Sequence, residues 1–162
     1  MSASVKIFVA AGAAALLSAC AGHLSEAETA APPADAFAAA LQSGYVALAR
    51  AERDENDFGD ARSFAARALD AAAGRPPAPE SLGARRLPQE SVPELADARA
   101  RLMRALDAGA RSLSPHDAAE AQFGFDCWMQ EQEENFQPDD IAGCRARFLA
   151  AAASLESRGL AA

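Results

Sequence analysis

Lysine occurs once in this chain, at Lys6, and histidine only at His23 and His116. Beyond residue 19 the positive charge comes from 14 arginines, against 23 aspartates and glutamates, which gives a net charge of −9. Nucleic-acid binding needs clustered cations, and electrostatic attraction to anionic lipids needs a basic segment. We therefore expect no nucleic-acid partner and no charge-driven membrane binding.

β-Branched residues are almost missing after Cys20, where they occur only at Thr29, Val46, Val92 and Ile141. β-Strands depend on such residues and on aromatics. Alanine has the highest helix propensity and accounts for 45 of the 162 residues. The composition excludes a sheet and predicts an all-α protein.

Signatures of catalysis and of metal binding are also missing. The sequence contains no GxSxG, no HExxH and no phosphate-binding loop. Zinc usually takes four ligands in close pairs, and calcium loops have a fixed ligand spacing; neither pattern is present. We interpret the acidic residues near the second and third cysteines as solvated helix ends: Glu131, Glu133, Glu134, Asp139 and Asp140. We expect no enzyme activity, no metal and no small-molecule substrate.

The amino terminus carries a short apolar run at residues 7–19, directly after Lys6. A helix needs roughly 20 residues to cross a bilayer, so this run is too short and instead fits a secretory signal peptide. It ends in Leu17-Ser18-Ala19-Cys20. This ending resembles the lipobox of bacterial lipoproteins.

The lipobox resemblance implies a covalent membrane anchor. Residues 1–19 would be the signal peptide, and Cys20 would carry a diacylglycerol on its thiol and an acyl chain on its new amino terminus. Two or more acyl chains anchor a protein stably. Ala21 stands where an aspartate favours inner-membrane retention in such lipoproteins. We therefore expect the periplasmic face of the outer membrane, with the periplasmic face of the inner membrane as the alternative.

Helical periodicity predicts a single domain over residues 35–158, a bundle of about five helices built from helical hairpins. Apolar stripes and capping residues place the helices at about residues 35–56, 60–73, 93–113, 115–135 and 138–158. The first two helices form one tetratricopeptide-like hairpin, whereas a solenoid needs about three repeats.

Two segments of the chain are predicted to lack regular structure. Residues 20–34, with small and polar side chains, are predicted to be a flexible tether that follows the lipidated cysteine. Residues 75–92 contain four prolines and are predicted to be a loosely ordered loop, with Arg85 and Arg86 in solvent.

Cys127 and Cys144 remain as a pair once Cys20 is acylated. Export would place them in an oxidising compartment, where disulfides persist. They lie at equal distances from the turn at residues 135–136, on the apolar stripes of two neighbouring helices. Packed helices bring such residues within disulfide range, and Gly143 could ease the approach. A redox pair would normally use CxxC spacing. We therefore predict a structural disulfide that closes the C-terminal hairpin.

Residues 121–151, AQFGFDCWMQEQEENFQPDDIAGCRARFLAA, resemble the helical region that precedes the peptidoglycan-binding domain in some lipoproteins of the outer-membrane protein A (OmpA) family. The segments FAARALDAAAG and ARARLMRALDAGAR are similar too. In that family a C-terminal α/β domain binds peptidoglycan, and these 162 residues contain no counterpart of it. The resemblance implies an envelope location and an accessory helical module, and it carries no peptidoglycan-binding residue to this chain.

These observations favour a structural or adaptor lipoprotein that presents an acidic surface to a protein partner in the cell envelope. Trp128, Phe136 and Phe58 are candidate contact residues, although packing in the core or in a turn explains each of them as well. The alternative is direct association of the bundle with peptidoglycan.

Overall fold

A computed structural model describes residues 22–160 of the chain. Within that range the protein is all-α, as predicted, with no strand. The helices are α1 (22–29), α2 (Ala36–Asp54), α3 (Phe58–Ala72), α4 (Val92–Asp107), α5 (Ala110–Leu113), α6 (Pro115–Glu134) and α7 (Pro138–Ser157). The predicted signal peptide, the lipobox residues Leu17, Ser18 and Ala19, and Cys20 lie outside the described residues.

Short polar side chains and prolines fix where the helices begin. Asp35 caps α2 by accepting a hydrogen bond from the Ala38 N–H at 2.7 Å, and Asp57 caps α3 by accepting from Gly59 and Asp60 at 2.8 Å. Proline stands in the first turn of α4, α6 and α7, where its missing N–H costs nothing. The predicted helix starts are therefore close to the observed ones.

α6 is the central helix of the bundle. Residues 121–131 are all buried, and α6 packs against α2, α4, α5 and α7. The ring of Phe148 on α7 lies 6.0 Å from that of Trp128 and 5.9 Å from that of Phe125. Because α6 is covered on every side along this stretch, its polar side chains there must find partners inside the protein.

A glycine allows α2 and α6 to pack closely. A Cβ at Gly44 would lie 2.2 Å from the ring of Phe123, far inside van der Waals contact. Only a residue without a side chain therefore fits at this position in the α2–α6 contact.

The predicted disulfide is confirmed. Cys127 on α6 and Cys144 on α7 are bonded, with their Cα atoms 5.6 Å apart, in the usual range for a disulfide. Nothing lies within 4 Å of a Cβ built on the neighbouring Gly143. The crosslink closes the α6–α7 hairpin around the turn at Asn135, which adopts a left-handed conformation with φ of 54°.

The predicted flexible tether is wrong for residues 22–29, which form α1 instead. Leu24 and Ala27, three positions apart, are 5% and 1% exposed. The Gln42 side chain donates to the Ala30 carbonyl at 3.0 Å, and Arg50 pairs with Glu28 at 2.7 Å. The tether prediction weighed the small and polar residues of this segment and missed the short apolar stripe that binds it to α2.

The predicted helix over residues 93–113 is interrupted. α4 ends at Asp107, Gly109 takes φ of 91°, and α5 forms a separate single turn. Glycine reaches this left-handed conformation without the penalty that a Cβ imposes. No helix among residues 22–160 is both long enough and apolar enough to cross a membrane.

Candidate functional site

A buried charge lies at the centre of the bundle, on α6. Asp126 is completely buried, and its carboxylate accepts hydrogen bonds from the Tyr45 hydroxyl at 2.5 Å and from Arg67 at 2.7 Å. Arg67 also donates to the Tyr45 hydroxyl at 2.8 Å, and its guanidinium lies 4.8 Å from the centre of that ring. These contacts join α2, α3 and α6 through one ion pair and one phenol.

The same polar cluster holds the proline-rich segment against the bundle. The Glu80 N–H donates to Asp126 at 2.8 Å, and Arg67 donates to the Ala78 carbonyl at 2.7 Å. Gln122, which is fully buried, donates to the Pro77 carbonyl at 2.7 Å and to Tyr45 at 3.1 Å. The segment between α3 and α4 is therefore fastened by side chains of two helices, α3 and α6.

Arg85 fastens the far end of this segment, and its predicted position in solvent is wrong. Its side chain is only 6% exposed and pairs with Glu80 at 2.8 Å, Asp60 at 3.0 Å and Glu133 at 3.2 Å. Glu133 also accepts from the Arg86 N–H at 2.6 Å, so Glu133 is not simply a solvated helix end. The three carboxylates that surround the Arg85 guanidinium order this loop, although its prolines predict a loosely ordered segment.

Burial shifts the pKa of several of these groups. It raises the pKa of Asp126 to about 6, a shift that the Arg67 charge opposes. It also raises the pKa of Tyr45 well above its usual value, and the neighbouring Asp126 charge adds to that rise. For Arg85, burial lowers the pKa, but the hydrogen bonds and charges of Glu80 and Asp60 raise it overall. At neutral pH, Arg85 is therefore a fixed cation among its partners.

A second group of carboxylates lies at one end of the bundle, beside the disulfide. Glu52 on α2 and Glu131 on α6 are 2% and 6% exposed. Gln130 donates to Glu52 at 3.0 Å, whereas Glu131 keeps a buried oxygen without a hydrogen-bond partner. Glu131 is therefore buried inside the bundle, contrary to its predicted position at a solvated helix end.

The carboxylates of this group repel one another. Burial, followed by the charge of Glu131, raises the pKa of Glu52 to about 8. Burial, followed by the charge of Asp140, raises the pKa of Glu131 to about 7. On the surface nearby, Gln137 bridges Glu55 and Asp140 with one amide nitrogen, at 2.7 Å to each. This end of the bundle therefore holds protons near neutral pH that isolated carboxylates would release.

Among residues 22–160, two groups of side chains have the spacing of metal ligands. Oxygen atoms of Glu52, Asp57 and Glu134 lie within 4.8 Å of one another, which is close enough for a hard cation. Cys127, Glu131 and Cys144 are equally close, but both sulfurs are engaged in the disulfide and cannot be thiolate ligands. A cleft of about 300 Å³ opens beside this second group.

The structure separates the three predicted contact residues. Trp128 is 2% exposed and belongs to the core, so it is unavailable to a partner. Phe58 and Phe136 are 45% and 68% exposed, at the starts of the α3 helix and of the α6–α7 turn. Two of the three predicted contact residues are therefore on the surface.

The cluster formed by Tyr45, Arg67, Gln122 and Asp126 was not predicted from the sequence. One signal was present in the order Phe125-Asp126-Cys127-Trp128. An aspartate inside an apolar stretch of a helix must be paired if that helix is buried on all sides. The partners on α2 and α3 lie far away in the sequence, and no local pattern identifies them.

The chemistry of these sites is structural in the first instance. The buried charges of the Asp126 cluster join helices and fix the loop. Searches of protein-family models, curated proteins and solved structures found no match to this chain. A functional proposal for this chain therefore depends on its own residues and their contacts.

Proposed function

We propose that this protein is a non-enzymatic lipoprotein of the bacterial cell envelope, anchored through acylated Cys20 to the periplasmic face of the outer membrane. Its helical domain acts as a structural or adaptor module for another envelope protein. The periplasmic face of the inner membrane is the alternative location.

The observation that carries this proposal is the Cys127–Cys144 disulfide, placed on the facing sides of α6 and α7. Structural disulfides persist in exported proteins and are rare in the reducing cytosol. With this pair bonded, Cys20 is the remaining cysteine of the chain. Cys20 follows an apolar run and ends a lipobox-like motif, which indicates that its thiol is acylated.

The internal ion pairs support a scaffold role. Asp126, Arg67 and Arg85 join α3, α6 and the proline-rich segment into one unit and so order that segment. An adaptor benefits from such preorganisation, because binding then costs little additional ordering. The partner would meet an acidic surface, since 23 carboxylates face 14 arginines beyond residue 19.

Fractionation of cells that produce the full-length chain tests the anchor. The wild-type protein is expected in the outer-membrane fraction, and Cys20→Ser is expected to lose stable membrane association. Cys144→Ser is the matched control, because it removes a different cysteine and should leave the protein in the membrane. Equal membrane association of the Cys20→Ser and wild-type proteins would refute lipid anchoring.

Crosslinking in cells followed by purification tests the adaptor role. We expect a specific envelope protein to be recovered with the wild-type chain. Sedimentation with purified sacculi, in parallel, separates this role from direct peptidoglycan association. Recovery with sacculi in the absence of any protein partner would replace the adaptor proposal with the peptidoglycan one.

A further inference from the structure

α1 runs antiparallel to α2, and this direction determines where the chain leaves the domain. Ala30, just after α1, contacts Gln42 near the middle of α2, whereas Glu28 pairs with Arg50 close to the end of α2. Moving from residue 30 back toward residue 22 therefore means moving along α2 toward Asp54. The start of α1 points to the end of the bundle where α2 stops.

The start of α1 at Gly22 lies near that same end. Eight residues of helix rise about 12 Å, so residue 22 lies roughly level with residue 50, and the end of α2 is about 6 Å further on. Cys20 is two residues before Gly22, and two residues of fully extended chain span at most about 7 Å. A lipid on Cys20 would therefore be attached within about 7 Å of chain from the start of α1.

This end, which we call the anchor end, consists of residues 54–58 and 135–140. The two turns are neighbours, because Gln137 donates to Glu55 at 2.7 Å. Each turn carries an exposed phenylalanine, Phe58 at 45% and Phe136 at 68% exposure. The side chains of α2 and α6 beneath them are already engaged with each other, and the two rings face outward.

The opposite end carries a matched residue. Leu113 is also 68% exposed. It is the last residue of α5, two positions before α6 begins, and Arg111 near it lies over the ring of Phe37, at the start of α2. The 20 residues of α6 separate Leu113 from Phe136, which amounts to about 30 Å along the helix.

We propose that the anchor end rests on the lipid surface, with Phe58 and Phe136 in the headgroup region beside the acylated Cys20. This inference depends on the proposed lipid anchor and adds an orientation to it. The helical α1 replaces the tether that would otherwise hold the domain away from the membrane. Apolar side chains at the membrane interface add to the hold of an acyl anchor.

The charge of the anchor end determines which lipids it favours. Glu55, Asp139 and Asp140 are exposed there and repel anionic headgroups. The domain must therefore be held on the lipid surface by the acyl chains and by hydrophobic contact of Phe58 and Phe136 with the lipid. We expect closer contact on zwitterionic vesicles than on vesicles rich in anionic lipid. The opposite end, with Leu113, points away into the periplasm in this orientation.

Tryptophan fluorescence with brominated lipids tests the orientation. The full-length acylated protein is reconstituted into phosphatidylcholine vesicles with bromine atoms on the acyl chains, as the wild type, Phe136→Trp or Leu113→Trp. The buried Trp128 gives the same background in all three proteins. The indole at position 136 is expected to be quenched by the brominated chains, and the indole at position 113 to keep its full emission. Phe58→Trp provides a second, independent probe at the anchor end.

Two outcomes would overturn the proposed orientation. A measurement made beforehand tests the lipid anchor separately. The intact mass of the reconstituted protein is determined first, because a chain without acyl groups refutes the lipid anchor. If the protein is acylated and the probes at positions 58 and 136 are not quenched, the anchor stands and the orientation is wrong. Equal quenching at positions 113 and 136 would likewise show that neither end is preferred.

Discussion

Asp126 lies buried between Phe125 and Cys127 and accepts hydrogen bonds from Tyr45, Arg67 and the Glu80 N–H. Its neighbour in space, Arg67, is only 18% exposed in its side chain. A buried ion pair adds little stability compared with apolar residues, but removing one partner leaves an uncompensated charge. The pair therefore specifies one arrangement of α2, α3, α6 and the proline-rich segment.

Asp126→Asn tests this side chain. The change keeps the shape and removes the charge that balances Arg67, so the free energy of unfolding should fall by about 3–5 kcal/mol. Urea unfolding followed by circular dichroism measures the loss. Glu94→Gln is the control, because it breaks the pair with Arg145, whose side chains are 53% and 46% exposed, and should cost less than about 1 kcal/mol. Equal effects of the two substitutions would contradict the account.

The buried carboxylates predict a pH dependence of stability. The pKa of Glu52 is raised to about 8 and that of Glu131 to about 7 in the folded protein. Between about pH 4.5 and pH 8 the folded state therefore binds more protons than the unfolded chain, and stability falls as the pH rises. The Asp126 pKa of about 6 acts in the same direction.

Urea midpoints at pH 5 and pH 8 measure this slope. We expect the wild type to be more stable at pH 5, and Glu52→Gln to reduce the difference because it removes one of the titrating groups. Glu90→Gln, in an exposed position of the proline-rich segment, should leave the difference unchanged. A wild-type protein that is more stable at pH 8 would contradict the burial of these carboxylates.

Helix packing predicts opposite effects on stability when Gly44 and Gly143 are replaced by alanine. Gly44 faces the Phe123 ring, and a Cβ there would meet it at 2.2 Å, whereas nothing lies within 4 Å of a Cβ at Gly143. Gly44→Ala should destabilise the protein by about 1–3 kcal/mol through overpacking. Gly143→Ala should stabilise it by roughly 0.5–1 kcal/mol, because alanine is the better helix former. Thermal unfolding decides, and stabilisation by both substitutions would show that α2 and α6 are not in close contact.

The disulfide joins the two helices of the C-terminal hairpin across a sequence separation of 17 residues. Opening a loop of that size should lower stability by about 3 kcal/mol in the chain-entropy model. Cys144→Ser and treatment of the wild type with reductant should give similar losses in urea unfolding. Reductant should have no further effect on the variant. A wild-type midpoint that is insensitive to reductant would mean that the crosslink does not stabilise the hairpin.

The elements that could be predicted from the sequence are those fixed by local signals. Prolines and aspartates near helix starts, and the equal spacing of Cys127 and Cys144 about a turn, place α2, α3, α6, α7 and the disulfide close to where the structure has them. The elements that were missed depend on distant partners. α1 is helical because α2 offers it a surface, and the loop with Arg85 is ordered because Asp60, Glu80 and Glu133 converge on it.

The molecule as a unit is a helical bundle closed at one end by a disulfide and held together by buried ion pairs. Its proposed role depends on the side of the membrane on which it folds. In the proposed role, export would lead both to acylation of Cys20 and to oxidation of Cys127 and Cys144, and the two modifications would use different thiols. If both modifications are found in the native protein, both support the envelope location.

The most direct measurement is the intact mass of the native protein extracted from cell membranes, before and after reduction. We predict a chain that begins at Cys20 and carries diacylglyceryl and acyl groups, and whose mass rises by two hydrogens on reduction. A chain that retains residues 1–19, carries no lipid and does not change mass with reductant would contradict it.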